Sequence, residues 1–184
     1  MTSTKRGRTT AWVVAVALLS IAVPPATLAA APASPPLIGS FPIGGETTAL
    51  EPESSLCGFD IAAASSGIAK FQVYFDEAGE PSRIHVHAMW TGTLSANGIT
   101  LTGRQSLNQF LDFEASTVIE VGLVFRNSGR GTGVALMDRG RLVWSVDPVT
   151  GEFAFPPVFE AGPHPQLHGD VSGLCEALTE RREV

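Results

Sequence analysis

Two of the four histidines in this chain stand one residue apart, His85 and His87 in "RIHVHAMW", residues 83–90. Side chains on a β-strand repeat every second residue, so the two imidazoles would share a face and could chelate zinc or copper. Such a centre needs a third and a fourth ligand. His164, His168, Asp112 and Glu114 are the candidates, all distant in sequence. The competing expectation is an ordinary amphipathic strand. Ile84, Val86, Ala88 and Trp90 would then pack the core, while Arg83, His85, His87 and Met89 form the opposite side. Because the histidines belong to the polar side, they are expected on the wet surface of the strand, and the metal-binding role is the alternative.

The other titratable groups have weaker settings. His164 and His168 lie in "GPHPQLHG", where Pro163, Pro165 and Gly169 oppose the helix that would align them. They are expected to be polar loop residues. Asp112 and Glu114 in "FLDFEAS" would point the same way on a strand, as paired carboxylates for acid–base work require, but solvated carboxylates are the simpler expectation. No G-x-S-x-G or H-E-x-x-H stretch is present, and no serine has the context of an activated nucleophile. "RNSGRGTG", residues 126–133, has the glycines of a phosphate loop, but "GVALMD" after it is a strand pattern rather than a helix start. A β-turn with exposed Arg126 and Arg130 is expected there. No cofactor is implied.

The elements that must position these groups are strands. Phe71, Val73 and Phe75 alternate with polar residues in "IAKFQVYFD", and residues 83–90 do the same. Asn97-Gly98, between two β-prone runs, predicts a type I′ hairpin followed by Ile99, Leu101 and Gly103 on one face. "STVIEVGLVFR" continues the alternation with Ile119, Val121, Leu123 and Phe125; "GVALMD", "RLVWSVD" and "EFAFP" supply three more runs, divided by "DRG" and "DPVTG". About eight strands at this spacing predict an all-β fold, an antiparallel barrel or sandwich. Val171, Leu174, Cys175 and Leu178 are spaced like one face of a short C-terminal helix, which Asp170 or Ser172 could cap.

The chain has two cysteines, Cys57 and Cys175, so one disulfide is possible, closing a loop of nearly 120 residues. The chain-entropy model assigns such a loop at most about 4–5 kcal/mol. A catalytic or metal-binding thiol is the rival, without a C-x-x-C or a neighbouring histidine to support it.

Residues 1–29 read as a signal peptide, with Lys5, Arg6 and Arg8 ahead of a 13-residue apolar run over residues 11–23, then Pro24-Pro25 and small residues before cleavage. The run is shorter than the roughly 20 residues of a membrane span. Secretion or a place in the cell envelope follows, with no integral membrane anchor in the mature form. Residues 30–56 are expected to be a mostly unstructured Pro/Ala/Gly-rich linker, of which Leu37, Ile38, Phe41 and Ile43 could dock; residues 57–178 form the β-domain and 179–184 a tail. The leader holds three of the 12 basic residues and none of the 18 acidic ones, leaving 9 basic, 18 acidic and a net charge of −9. So acidic a chain gains no overall counterion-release term, so nucleic acid is not an expected partner.

The opening "CGFDI", the turn-separated strands such as "TGTLSANGITLTG" and the closing "LHGDVSGLCEAL" resemble a family of small exported actinobacterial β-proteins of unknown function. In these, an N-terminal Cys-Gly-Phe is matched by a C-terminal Leu-Cys-x-x-Leu, over residues 56–178 here. The resemblance implies the β-fold and supports the disulfide, and it assigns no functional residue. The function expected is a non-enzymatic binding or structural module of the cell envelope. A small apolar ligand inside a closed barrel, or a cell-envelope component, is the expected partner; a metal-binding protein or enzyme using His85 and His87 is the alternative.

Overall fold

A computed structural model describes residues 35–129, 133–147 and 150–179. Residues 1–29, expected to be a signal peptide, and the 179–184 tail, except Thr179, lie outside them, as does Arg130. Seven antiparallel strands form one sheet in simple chain order: β1 (Leu37–Thr47), β2 (Ala62–Phe75), β3 (Pro81–Ala96), β4 (Ile99–Asp112), β5 (Thr117–Gly129), β6 (Gly133–Ser145) and β7 (Phe159–Ala161). Two short helices, α1 (Glu53–Cys57) and α2 (Ser172–Leu178), complete it. The fold is thus all-β with a short C-terminal helix and one disulfide; the strands form a single sheet, with β1 and β7 at its edges, rather than two packed sheets.

The expected alternation sets the two faces. Ile84, Val86 and Ala88 pack with Ala69 and Phe71, and Leu94, Ala96 and Leu101 pack with Ile61, Leu136, Val171, Leu174 and Leu178. This apolar side is the inner face. The turn at Asn97-Gly98 has positive φ at both residues, 51° and 75°, as type I′ requires. It pairs Ala96 with Ile99 and fixes the register of the whole β3–β4 hairpin.

Four sequence expectations are corrected. Residues 37–47, placed in an unstructured linker, form β1, because Leu37, Gly39, Phe41 and Ile43 alternate onto the inner face opposite Val73, Phe71, Ala69 and Gly67. "GVALMD" and "RLVWSVD" are one strand, since "DRG" pairs across to β5 rather than turning. "EFAFP" contributes only the isolated bridge of Phe153 with Val146, and the last strand lies further on, at residues 159–161. In β5, Val118, Glu120 and Gly122 face inward while Ile119, Val121 and Leu123 face out; a register shift between Leu123 and Phe125 returns Phe125 and Asn127 to the inner face. Glu120 is tolerated inside because both carboxylate oxygens are occupied, by Gln109 Nε2 at 2.7 Å and Trp144 Nε1 at 2.8 Å.

Cys57 and Cys175 are bonded, with 5.2 Å between their Cα atoms and 118 residues between them in sequence. Gly58 explains the glycine after Cys57: it ends α1 in the left-handed region at φ 77°, its amide donating to Ser54 O at 2.9 Å. Val171, just before α2, and Leu174 and Leu178 on it are buried and pack in the cluster that Cys175 adjoins. Asp170 Oδ1 accepts from Ser172 Oγ at 2.7 Å, and this bond, with that of the Ser172 amide, holds the Asp170 carboxyl below its usual range.

Candidate functional site

The β3–β4 register places Phe110 opposite His85 and Asn108 opposite His87 on the outer face of the sheet. The consequences are local and specific. The His85 ring stacks on Phe110, with centroids 4.5 Å apart and planes within 2°. His85 Nε2 and His87 Nδ1 each lie 3.1 Å from Asn108 Oδ1. An amide oxygen only accepts, so each of those ring nitrogens donates an N–H to it. Both histidines are half-buried rather than fully wet.

Beside them, β2 contributes Lys70 opposite His87 and Gln72 opposite His85. Tyr74 donates its hydroxyl hydrogen to Gln72 Oε1 at 2.7 Å, and the Arg83 guanidinium lies 5.9 Å from the Tyr74 ring centroid. A groove of about 410 Å³ runs along this edge, lined by Ile38, Ser40, Lys70, Gln72, His85 and His87 among others. A second, of about 600 Å³, opens on the outer face of β5 and β6 and includes Arg126, Arg139, Val121, Leu123 and Met137. The arrangement offers an aromatic platform, side-chain amides and a cation. Those are the parts of a recognition surface.

The remaining candidates are placed apart from this pair. His164 is 3% exposed on the inner side, where its Nδ1 meets Asp138 Oδ1 at 2.6 Å and its Nε2 lies 3.3 Å from Ala161 O. It is a loop residue, as expected, but a buried one: the loop folds the ring under β6, beside a carboxylate that burial pushes above its usual range and that the His164 bond pulls back. His168 is exposed and bonds Glu160 Oε1 at 2.8 Å. Asp112 ends β4, and its Oδ1 accepts from the Ala115 amide at 2.9 Å to close the turn. Glu114 lies within that turn, so the two carboxylates do not share a strand face. Of the six residues considered as ligands, the fold brings only His85 and His87 together, and among the described residues no group of three His, Cys, Asp or Glu side chains is placed to hold a metal ion.

Sequence reasoning missed Asn108, Phe110, Lys70 and Gln72. A signal for the first two was present. Counting outward from Ala96 and Ile99, the residues flanking the type I′ turn, places Asn108 against His87 and Phe110 against His85. The buried Asp138–His164 pair had no such signal, because a loop distant in sequence closes it.

No family model, curated protein or solved structure matches the chain.

Proposed function

We propose that the protein is a non-enzymatic, extracytoplasmic binding module whose outer sheet face engages a component of the cell envelope. One observation carries this reading: on a partly exposed patch of the sheet, a stacked His85–Phe110 pair, the Asn108 amide and the Lys70 ammonium stand side by side, with a groove along them. Aromatic faces with adjacent amides recognise ligands by stacking and hydrogen bonding, without chemistry. The disulfide and the leader-like residues 1–29 support an oxidising, exported setting. An apolar ligand inside a closed barrel is less favoured, because the described strands form one sheet whose edges, β1 and β7, do not pair with each other. Among the described residues no helix is long and apolar enough to cross a membrane.

Cosedimentation of the purified protein with isolated cell-wall polysaccharide tests the proposal. Wild type should pellet, and the His85→Ala, Phe110→Ala double variant should bind about tenfold more weakly, equivalent to ~1.4 kcal/mol. Equal retention of the two would refute it.

The metal reading keeps one observation in its favour: the facing nitrogens of His85 and His87 converge on a single point, occupied by Asn108 Oδ1. Removing that oxygen in Asn108→Ala should therefore raise zinc or copper uptake above wild type. Elemental analysis of wild type, Asn108→Ala and the His85→Ala, His87→Ala variant decides, and equal metal in all three ends the reading.

A further inference from the structure

We infer that the ligand of the outer face is a linear acidic polysaccharide, held across β4–β6 by Arg104, Arg126, Arg139 and Arg141; this rests on the outer face being the binding surface. The inference comes from how charge is distributed. All six described Lys and Arg residues (Lys70, Arg83, Arg104, Arg126, Arg139 and Arg141) lie in strands, are exposed, and by register project from the outer face. None forms an ion pair with another described residue. On that face the strands carry only two acids, Glu46 near one edge and Asp112 at one end. The other strand carboxylates, Glu120, Asp138 and Glu160, project to the opposite side. A chain of negative net charge has thus kept its described cations on one surface, unneutralised.

The four arginines are close neighbours. Arg139 and Arg141 stand about 7 Å apart along β6, Arg126 is cross-strand to Met137 beside them, and Arg104 follows on β4, each strand about 4.8 Å from the next. Between them Val121 is exposed and Leu123 and Met137 half-buried, in the groove already described. Planar guanidinium groups match carboxylate geometry. The occupant must be thin. At physiological salt charges are screened beyond about 8 Å, so a narrow flexible polyanion can follow this face and avoid the acidic turns. A bilayer or a duplex is broad and would present its potential to those turns as well. The His85–Phe110 stack and the Asn108 amide, on β3 and on β4, the strand of Arg104, suit a sugar ring.

The test uses the purified full chain and an oligogalacturonate probe, with size-matched dextran, single-stranded DNA and phosphatidylglycerol vesicles as separate arms, read by calorimetry or anisotropy. The oligogalacturonate should bind, weakening about tenfold between roughly 50 and 200 mM salt as counterion release requires. Dextran should not bind, and DNA and vesicles should bind at least tenfold more weakly. Changing Arg104, Arg126, Arg139 and Arg141 all to Ser should cost at least tenfold, whereas all to Lys should cost less than the Ser variant, because the charge is kept and only the fork geometry is lost. Unfolding midpoints and an intact disulfide control for folding. Absent or salt-independent binding overturns the inference, as does equal affinity of the Ser and wild-type chains, or tighter binding to DNA or vesicles. If the Ser variant still pellets with cell walls while the His85→Ala, Phe110→Ala variant does not, the acidic ligand is wrong and the binding face stands. If neither variant changes retention, both fall.

Discussion

The end of the inner face closed by α2 and the outer face across β2–β6 are made from the same strands and obey opposite rules. At the closed end Ile61, Leu101, Leu174 and Leu178 have no exposed surface, and the disulfide joins the two helices directly beside them. Each fully buried aliphatic side chain there stabilises by about 1.5–3 kcal/mol. On the outer face the side chains are half-exposed or exposed, the cations have no ionic partners among the described residues, and the ordered contacts include a ring stack and hydrogen bonds converging on one amide oxygen. Under the proposed function the difference separates stability from recognition: substitutions at the closed end should unfold the protein, and substitutions on the outer face should spare the fold and remove binding.

The hardest blow to the closed end is loss of the disulfide. Cys57→Ser with Cys175→Ser should destabilise by about 2–5 kcal/mol in denaturant titration, with a larger m-value as the unfolded chain expands. A loss under about 1 kcal/mol would show that the apolar cluster alone holds α2.

His164→Ala strikes the inner face away from α2 and should cost about 1–3 kcal/mol, because it strands Asp138 buried without its 2.6 Å partner. Outer-face behaviour here, meaning near-neutral stability, would break the division.

Glu53 sharpens it through pH. Its side chain is buried, Gln166 Nε2 donates to its Oε1, and its Oε2 has no hydrogen-bond partner among the described residues. Desolvation raises its pKa above the ordinary 4.5. The folded state therefore binds this proton more tightly than the unfolded chain. The stability it contributes is full below the ordinary value and is lost as pH rises through the raised one. Glu53→Gln should flatten the fall of Tm between about pH 4 and neutrality and raise Tm at neutral pH by a few degrees. An unchanged pH profile would contradict a buried, titrating Glu53.

The smallest stability effect is expected outside. His85→Ala with Phe110→Ala should shift stability by no more than about 1–1.5 kcal/mol, the scale of one exposed aromatic pair, while binding to cell-wall polysaccharide falls.

Much of this fold was readable from alternation. The inner residues of β2, β3 and the start of β4, the Asn97-Gly98 turn, the buried side of α2 and the cysteine pair all follow from period, turn chemistry and count. What escaped has physical reasons. Glycine and proline in β1 break up an apolar pattern that only pairing with β2 completes. In β5 the apolar residues Ile119, Val121 and Leu123 suggest a core that faces the wrong way, because Glu120 finds two partners inside and the register shift reverses the pattern. At the site, His85 and His87 were legible as neighbours, and the turn register already contained Asn108 and Phe110. The cation surface was not, since a net charge of −6 averages away a segregation that only the faces of the sheet reveal.

Amide chemical-shift mapping of the labelled protein, titrated with oligogalacturonate, tests the division most directly. The account predicts perturbations confined to outer-facing residues of β2–β6, centred on Asn108, Arg126, Arg139 and Arg141, with α2 and the inner face silent. Perturbations centred on α2 or the inner face, or none at saturating oligosaccharide, would contradict it.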